Sequence, residues 1–123
     1  MKIYKGMRLR PEQETASDVK VTVKEGKEET LLRHHVYHSP TGFCWGYGGS
    51  GPADLARSIL WDFLGKEPTS ELYQDFKWEF VAIWEDKWEI TSTEIKIWII
   101  ANYGKDYFNY LTREIKLKEG EAK

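Results

Sequence analysis

The sequence predicts an α+β fold, an N-terminal antiparallel β-meander packed against about three helices, with an edge strand near the C-terminus. Three observations predict it. Val19, Val21 and Val23 alternate strictly with Lys20, Thr22 and Lys24, the pattern of a half-buried strand. Ala56, Ile59, Leu60, Phe63 and Leu64 recur at helical spacing and make one apolar stripe. Thr91-Ser92-Thr93-Glu94 is a capping box, a hydroxyl three residues before a carboxylate, and opens a further helix.

Taken in order, Ile3 and Tyr4 start the first strand, a polar loop fills residues 11–17, and the second strand runs over residues 18–25. Gly26 and Lys27 turn the chain into a third strand over residues 30–38. Ser39 to Gly42 punctuate it, and residues 43–47 read as a short aromatic strand or extended arm. In Gly46-Tyr47-Gly48-Gly49-Ser50-Gly51-Pro52 the glycines permit positive φ and the proline suits a first helical turn, so a helix begins there and ends at Leu64 with Gly65 as its cap. A second helix takes Thr69 or Ser70 as N-cap and buries Leu72, Phe76, Phe80 and Ile83 or Trp84. Asp86 and Lys87 break that pattern. The third helix, residues 92–103, carries Ile95, Ile97, Trp98, Ile99 and Ile100 on more than one face, which requires deep burial or a second subunit. Residues 105–112 read as another short helix and residues 114–119 as the edge strand.

At 123 residues the chain has the size of one domain, assigned to residues 1–119 with a frayed tail at 120–123. Hydrophobic residues at 41% and charged residues at 31% suit a packed core with a solvated surface and exclude a disordered chain. The net charge of −2, with both signs interspersed, gives no global field toward nucleic acid or an anionic membrane. No apolar stretch approaches the length of a membrane span, the first ten residues do not resemble a signal peptide, and the single Cys44 cannot close an intrachain disulfide. A soluble protein of a reducing cytoplasm is expected.

The strongest candidate site is SPTGFCWGYGGSGPADLAR, residues 39–57. A glycine loop leads straight into a helix N-terminus, where unpaired N–H groups and the positive end of the helix dipole suit phosphate, sulfate or carboxylate. The expected ligand-binding set is Trp45, Tyr47, Gly48, Gly49, Ser50, Gly51, Asp54 and Arg57, with the rings stacking on a base or sugar and Arg57 adding charge. The segment is neither a Walker loop nor a dinucleotide fingerprint, because no Gly-Lys-Ser/Thr closes it and no βαβ unit contains it. No cofactor is implied. The alternative is that the glycines only allow a tight turn while Phe43, Trp45 and Tyr47 pack in the core.

His34 and His38 would stand about 13 Å apart on one strand face, with His35 facing away, so no metal site is assigned. No catalytic residue is assigned either. Ser50 lies in GGSGP rather than GxSxG, and an aspartate such as Asp54 in an early helical turn ordinarily complements the dipole.

His38 to Phe43, Trp45 to Ala53, Leu55-Ala56, Tyr73 to Lys77, the opening Ile3-Tyr4-Lys5-Gly6 and the later Trp88 to Thr91 together resemble the domain-of-unknown-function family 6166, over roughly residues 1–98. The resemblance implies a small phage, prophage or bacterial protein without an established activity. Its relatives often carry a glutamate where this chain has Cys44. That setting implies a non-enzymatic accessory protein, with an anti-defence role by analogy, whose partner is a host protein or a nucleotide-derived small molecule. A small hydrolase or nucleotide-processing enzyme using Asp54 or a histidine is the first alternative, and a structural homodimer formed through the third helix is the second.

Overall fold

The computed structural model describes residues 1–10, 18–39 and 42–112. The loop expected over 11–17, the edge strand over 114–119 and the tail at 120–123 lie outside these residues. Four strands form one antiparallel sheet: β1 (Lys2–Arg8), β2 (Val19–Glu25), β3 (Glu28–Leu31) and β4 (Lys87–Thr91), in the order β3-β2-β1-β4. The register pairs Tyr4 with Val23 and Ile90, and Gly6 with Val21 and Trp88. Because side chains alternate along a strand, this register sends Tyr4, Val21, Val23, Trp88 and Ile90 to one buried face and Lys5, Thr22 and Glu89 to the other. Gly26, at φ 62, makes the tight turn from β2 to β3. Gly6 is required for a different reason. The Trp88 indole lies on it, and a Cβ there would come within 2.2 Å of the ring.

The buried face is covered by α1 (Ser50–Leu64), α2 (Ser70–Glu79) and α3 (Ser92–Tyr103), with a 3₁₀ turn at Val81–Ile83 and a further helical run over residues 105–112. The α+β expectation holds, including the meander β1-β2-β3. Helix α1 ends where glycine stops it: Gly65 sits at φ 74 and returns its N–H to the Trp61 carbonyl. Helix α2 starts at Thr69, whose side chain accepts the Leu72 amide. The capping box is complete at α3, where Thr91 and Glu94 satisfy each other's backbone N–H. Replacing Thr91 with alanine should therefore cost about 1 kcal/mol, read as a lower urea midpoint with an unchanged slope. Helix α3 buries Ile95, Trp98 and Ile99 and leaves Ile97 61% exposed, so its apolar residues divide between core and surface.

Three local expectations are corrected. Residues 87–91, where the sequence shows Asp86 and Lys87 breaking the helical pattern and assigns no strand, form β4: Lys87 and Glu89 point out while Trp88 and Ile90 point in, a period of two that the charged residues obscured. The third strand stops at Leu31, seven residues short of His38, because the chain that follows is captured by side chains of α1. Of the strand or extended arm expected over residues 43–47, the strand does not form: these residues join no ladder, and Gly46 donates to the Val81 carbonyl at 3.0 Å. Of the two alternatives at the end of α2, Trp84 packs against the core and Ile83 is 73% exposed.

Candidate functional site

Helix α1 begins without help from a side-chain cap. Its N-cap is Gly49, its first turn contains no acidic residue, and Pro52 removes one amide that would have lacked a partner. The preceding loop is held by close packing against glycine. The Trp78 ring rests on Gly48, where a Cβ would meet it at 2.1 Å, and the Cys44 Cβ would lie 2.8 Å from a Cβ on Gly51. Tyr47 and Trp78 remain 51% and 60% exposed beside this helix start. Lys77 is buried there: its Nζ reaches the Gly48 carbonyl at 3.4 Å and stands 4.4 Å from the Trp78 ring. Burial holds the Lys77 ammonium below the usual lysine range. Burial, and then the Cys44 thiol beside it, push the Tyr47 hydroxyl up.

One turn further along, Asp54 is fully buried and is the hub of the site region. Oδ2 accepts from the Ser39 amide at 2.9 Å and the Tyr37 amide at 3.2 Å and meets His34 Nε2 at 2.9 Å, while Oδ1 accepts from the His38 amide at 2.8 Å. Three successive N–H groups thus form a nest around a carboxylate supplied by the protein itself. Burial alone would raise the Asp54 carboxyl, but the bonds from His34 and from the Ser39, His38 and Tyr37 amides outweigh it and hold the group below the ordinary aspartate range.

Arg57 completes the capture of the same segment. Its Nη1 donates to the His35 carbonyl at 2.8 Å, its Nη2 meets Glu67 at 3.2 Å, and its guanidinium lies over the Trp61 and Tyr37 rings. Ser58 takes the His35 amide at 3.0 Å, and the His35 ring stacks on Trp61 at 3.9 Å. Burial, followed by the charges of Arg33 and Arg57, lowers the His35 pKa.

The structure therefore divides the expected ligand-binding set. Tyr47, Gly48, Gly49, Ser50 and Gly51 meet at the start of α1, with Ser50 exposed and Gly51 buried. Asp54 and Arg57 turn instead toward residues 34–39, and Trp45 is wholly buried, its indole N–H on the Glu85 carbonyl at 2.6 Å. These three side chains act inside the fold. The histidine geometry also differs from a strand: His34 uses its ring and His38 its amide on the same carboxylate, and the His38 ring reaches the Tyr73 hydroxyl at 2.8 Å. Among the described residues no three His, Cys, Asp or Glu side chains converge so as to hold a metal ion. Lys77 was missed by sequence reasoning. The signal for Lys77 was present, since it falls on the apolar stripe of α2 one turn after Tyr73.

No helix among the described residues is long and apolar enough to cross a membrane. No curated protein and no solved structure matches the chain. One family model does, over residues 4–101, which takes in β1 from Tyr4 on, β2, β3, β4, the glycine loop, α1, α2 and nearly all of α3. Both the nest around Asp54 and the uncapped helix start lie within that span, and the chain belongs to the family of unknown function DUF6166.

Proposed function

We propose that this protein is a non-catalytic binder of an anionic, nucleotide-like ligand, and that the ligand's acidic group sits at the start of α1 with its ring against Tyr47 and Trp78. The observation that carries this reading is the electrostatics of that helix start. It has no side-chain cap, no first-turn carboxylate and a buried lysine beside it that forms no ion pair among the described residues, so positive potential collects there. Exposed aromatic rings on both sides of the loop supply stacking surfaces. In a phage or prophage setting such a protein would act stoichiometrically, by sequestering a nucleotide-derived host signal. The hydrolytic alternative draws less support, because the carboxylate it would use as a base has both oxygens engaged by internal donors.

The test is titration of the labelled protein with ADP, adenosine and inorganic phosphate, read from the amide resonances of Ser50 and Gly51. ADP should shift both and be recovered intact, adenosine should bind weakly, and phosphate should shift the amides alone. Substituting Ser50 by glutamate places a carboxylate in the first turn. That change should raise stability by about 0.3–1 kcal/mol through the dipole while weakening ADP about tenfold or more. Amides that stay unmoved by ADP overturn the reading. Release of phosphate from ADP would favour the enzyme, and a shift produced only by a host protein would favour a protein partner.

A further inference from the structure

The segment from Arg33 to Ser39 leaves β3 without entering a helix or a strand. Chain of that kind is ordinarily the most mobile part of a domain. Here one helix fixes its backbone. Every amide from His35 to Ser39 except that of Val36 is bonded to a side chain of α1, His35 to Ser58 and the other three to Asp54. The His35 carbonyl accepts from Arg57. Two of these supporting groups are charges taken out of water, for Asp54 is wholly buried and Arg57 is 6% exposed. Burying charge is costly, and what it holds in place is a loop whose outer residues face solvent: Val36 is 56% and Tyr37 67% exposed.

The charge around these two apolar residues has one sign. No acidic residue occurs between Leu31 and Ser39. Arg33 is exposed and forms no ion pair among the described residues. The Arg57 guanidinium backs the Tyr37 ring, 5.0 Å from its centre. The carboxylates that reach this region are already engaged, Asp54 with His34 and the loop amides and Glu67 with Arg57.

We propose that Arg33, Val36 and Tyr37 form a docking surface for an acidic segment of another protein, whose apolar side chains pack on Val36 and Tyr37 and whose carboxylates meet Arg33. An isopropyl group beside a phenol offers little to a phosphate, whereas exposed tyrosine and arginine are the residues that dominate protein interfaces. The fixed backbone gives the surface its function, because a mobile loop would lose conformational entropy on docking and this one has lost it already on folding. The surface does not include Tyr47 or Trp78 and does not depend on the reading given for the start of α1.

Selection of a displayed library of random peptides on the full chain tests the proposal. The peptides recovered should combine aspartate or glutamate with leucine, isoleucine or aromatic residues, and their binding should weaken as salt is raised. Synthesised and titrated by fluorescence anisotropy, they should bind the double variant Val36→Ser with Tyr37→Ser about tenfold or more weakly than wild type, and Arg33→Glu likewise. All three positions are exposed, so the melting temperatures should change little. Arg33→Glu touches none of the bonds from α1 and keeps the test decisive if the double variant loosens the loop. Failure to recover peptides, recovery of basic ones, or equal affinity for wild type and both variants overturns the proposal. A single-stranded oligonucleotide that binds through Arg33 and Tyr37 while no peptide does would overturn it too and assign the surface to nucleic acid, and a dimer dissolved by the same substitutions would assign it to a second copy of the chain.

Discussion

Asp54→Ala is expected to lower stability by about 3–5 kcal/mol, the cost of removing one partner from a buried charged network. The carboxylate is inaccessible to solvent and receives three backbone amides and the His34 ring. Without it the buried Ser39 amide has no acceptor, the part-buried donors of His34, Tyr37 and His38 lose theirs, and the segment from His34 to Ser39 loses its attachment to α1. For a domain of this size the melting temperature should fall by roughly 10–20 °C. Asn is not a safe substitute, since its NH₂ group would present donors to donors. The pH dependence has a definite sign. The folded carboxyl is held below its unfolded value of about 3.9, so its stabilisation is fully present above that value and is lost as pH falls through the lower, folded one. Urea midpoints of wild type and variant should therefore differ most at neutral pH and converge as pH falls through the lowered, folded value. A variant that melts within a degree or two of wild type at pH 7 would show that water replaces the carboxylate without cost.

How far the fold could be read in advance depends on where each signal originates. Helix limits are set by local chemistry, and Thr69, Thr91 and Gly65 each did what their residue types predict. The alternation in β2 likewise needs only its own residues. Residues 33–38 are different, because Val36 and Tyr37 carry β propensity but the amides of 37–39 gain more from a buried carboxylate than from a ladder. That carboxylate lies fifteen residues or more away in sequence, beyond any local window. Nothing local in the sequence distinguishes Asp54 and Arg57 from charged residues that ordinarily face solvent early in a helix. Their burial is a tertiary event. The loop itself was legible as a helix start, whereas the lysine that charges it comes from α2 and became a neighbour only through packing. Strand β4 was legible in its alternation and was obscured by the acidic and basic residues on its outer face.

Trp45→Ala should be nearly as damaging, at about 3–5 kcal/mol, because a whole buried indole leaves a cavity that its neighbours cannot fill. The ring is fully inaccessible and meets Trp88 edge-on at 5.6 Å, and Trp88 in turn is stacked on Trp84 at 3.9 Å. Arg8 closes the other side, its guanidinium 5.2 Å from the ring and its Nη2 donating to the Trp45 carbonyl at 2.8 Å. Trp45→Phe separates packing from hydrogen bonding. It restores much of the ring volume but leaves the Glu85 carbonyl without its indole donor, an additional loss of about 1–3 kcal/mol if no water reaches the site. The alanine variant should thus melt lowest and the phenylalanine variant between it and wild type, with the near-ultraviolet dichroism of the tryptophan cluster reduced in the same order. A ligand-stacking role makes the opposite forecast, namely intact thermal stability and a loss confined to binding. If Trp45→Ala keeps the wild-type melting temperature, the indole is not an interior support and the start of α1 must open more widely than its packing implies.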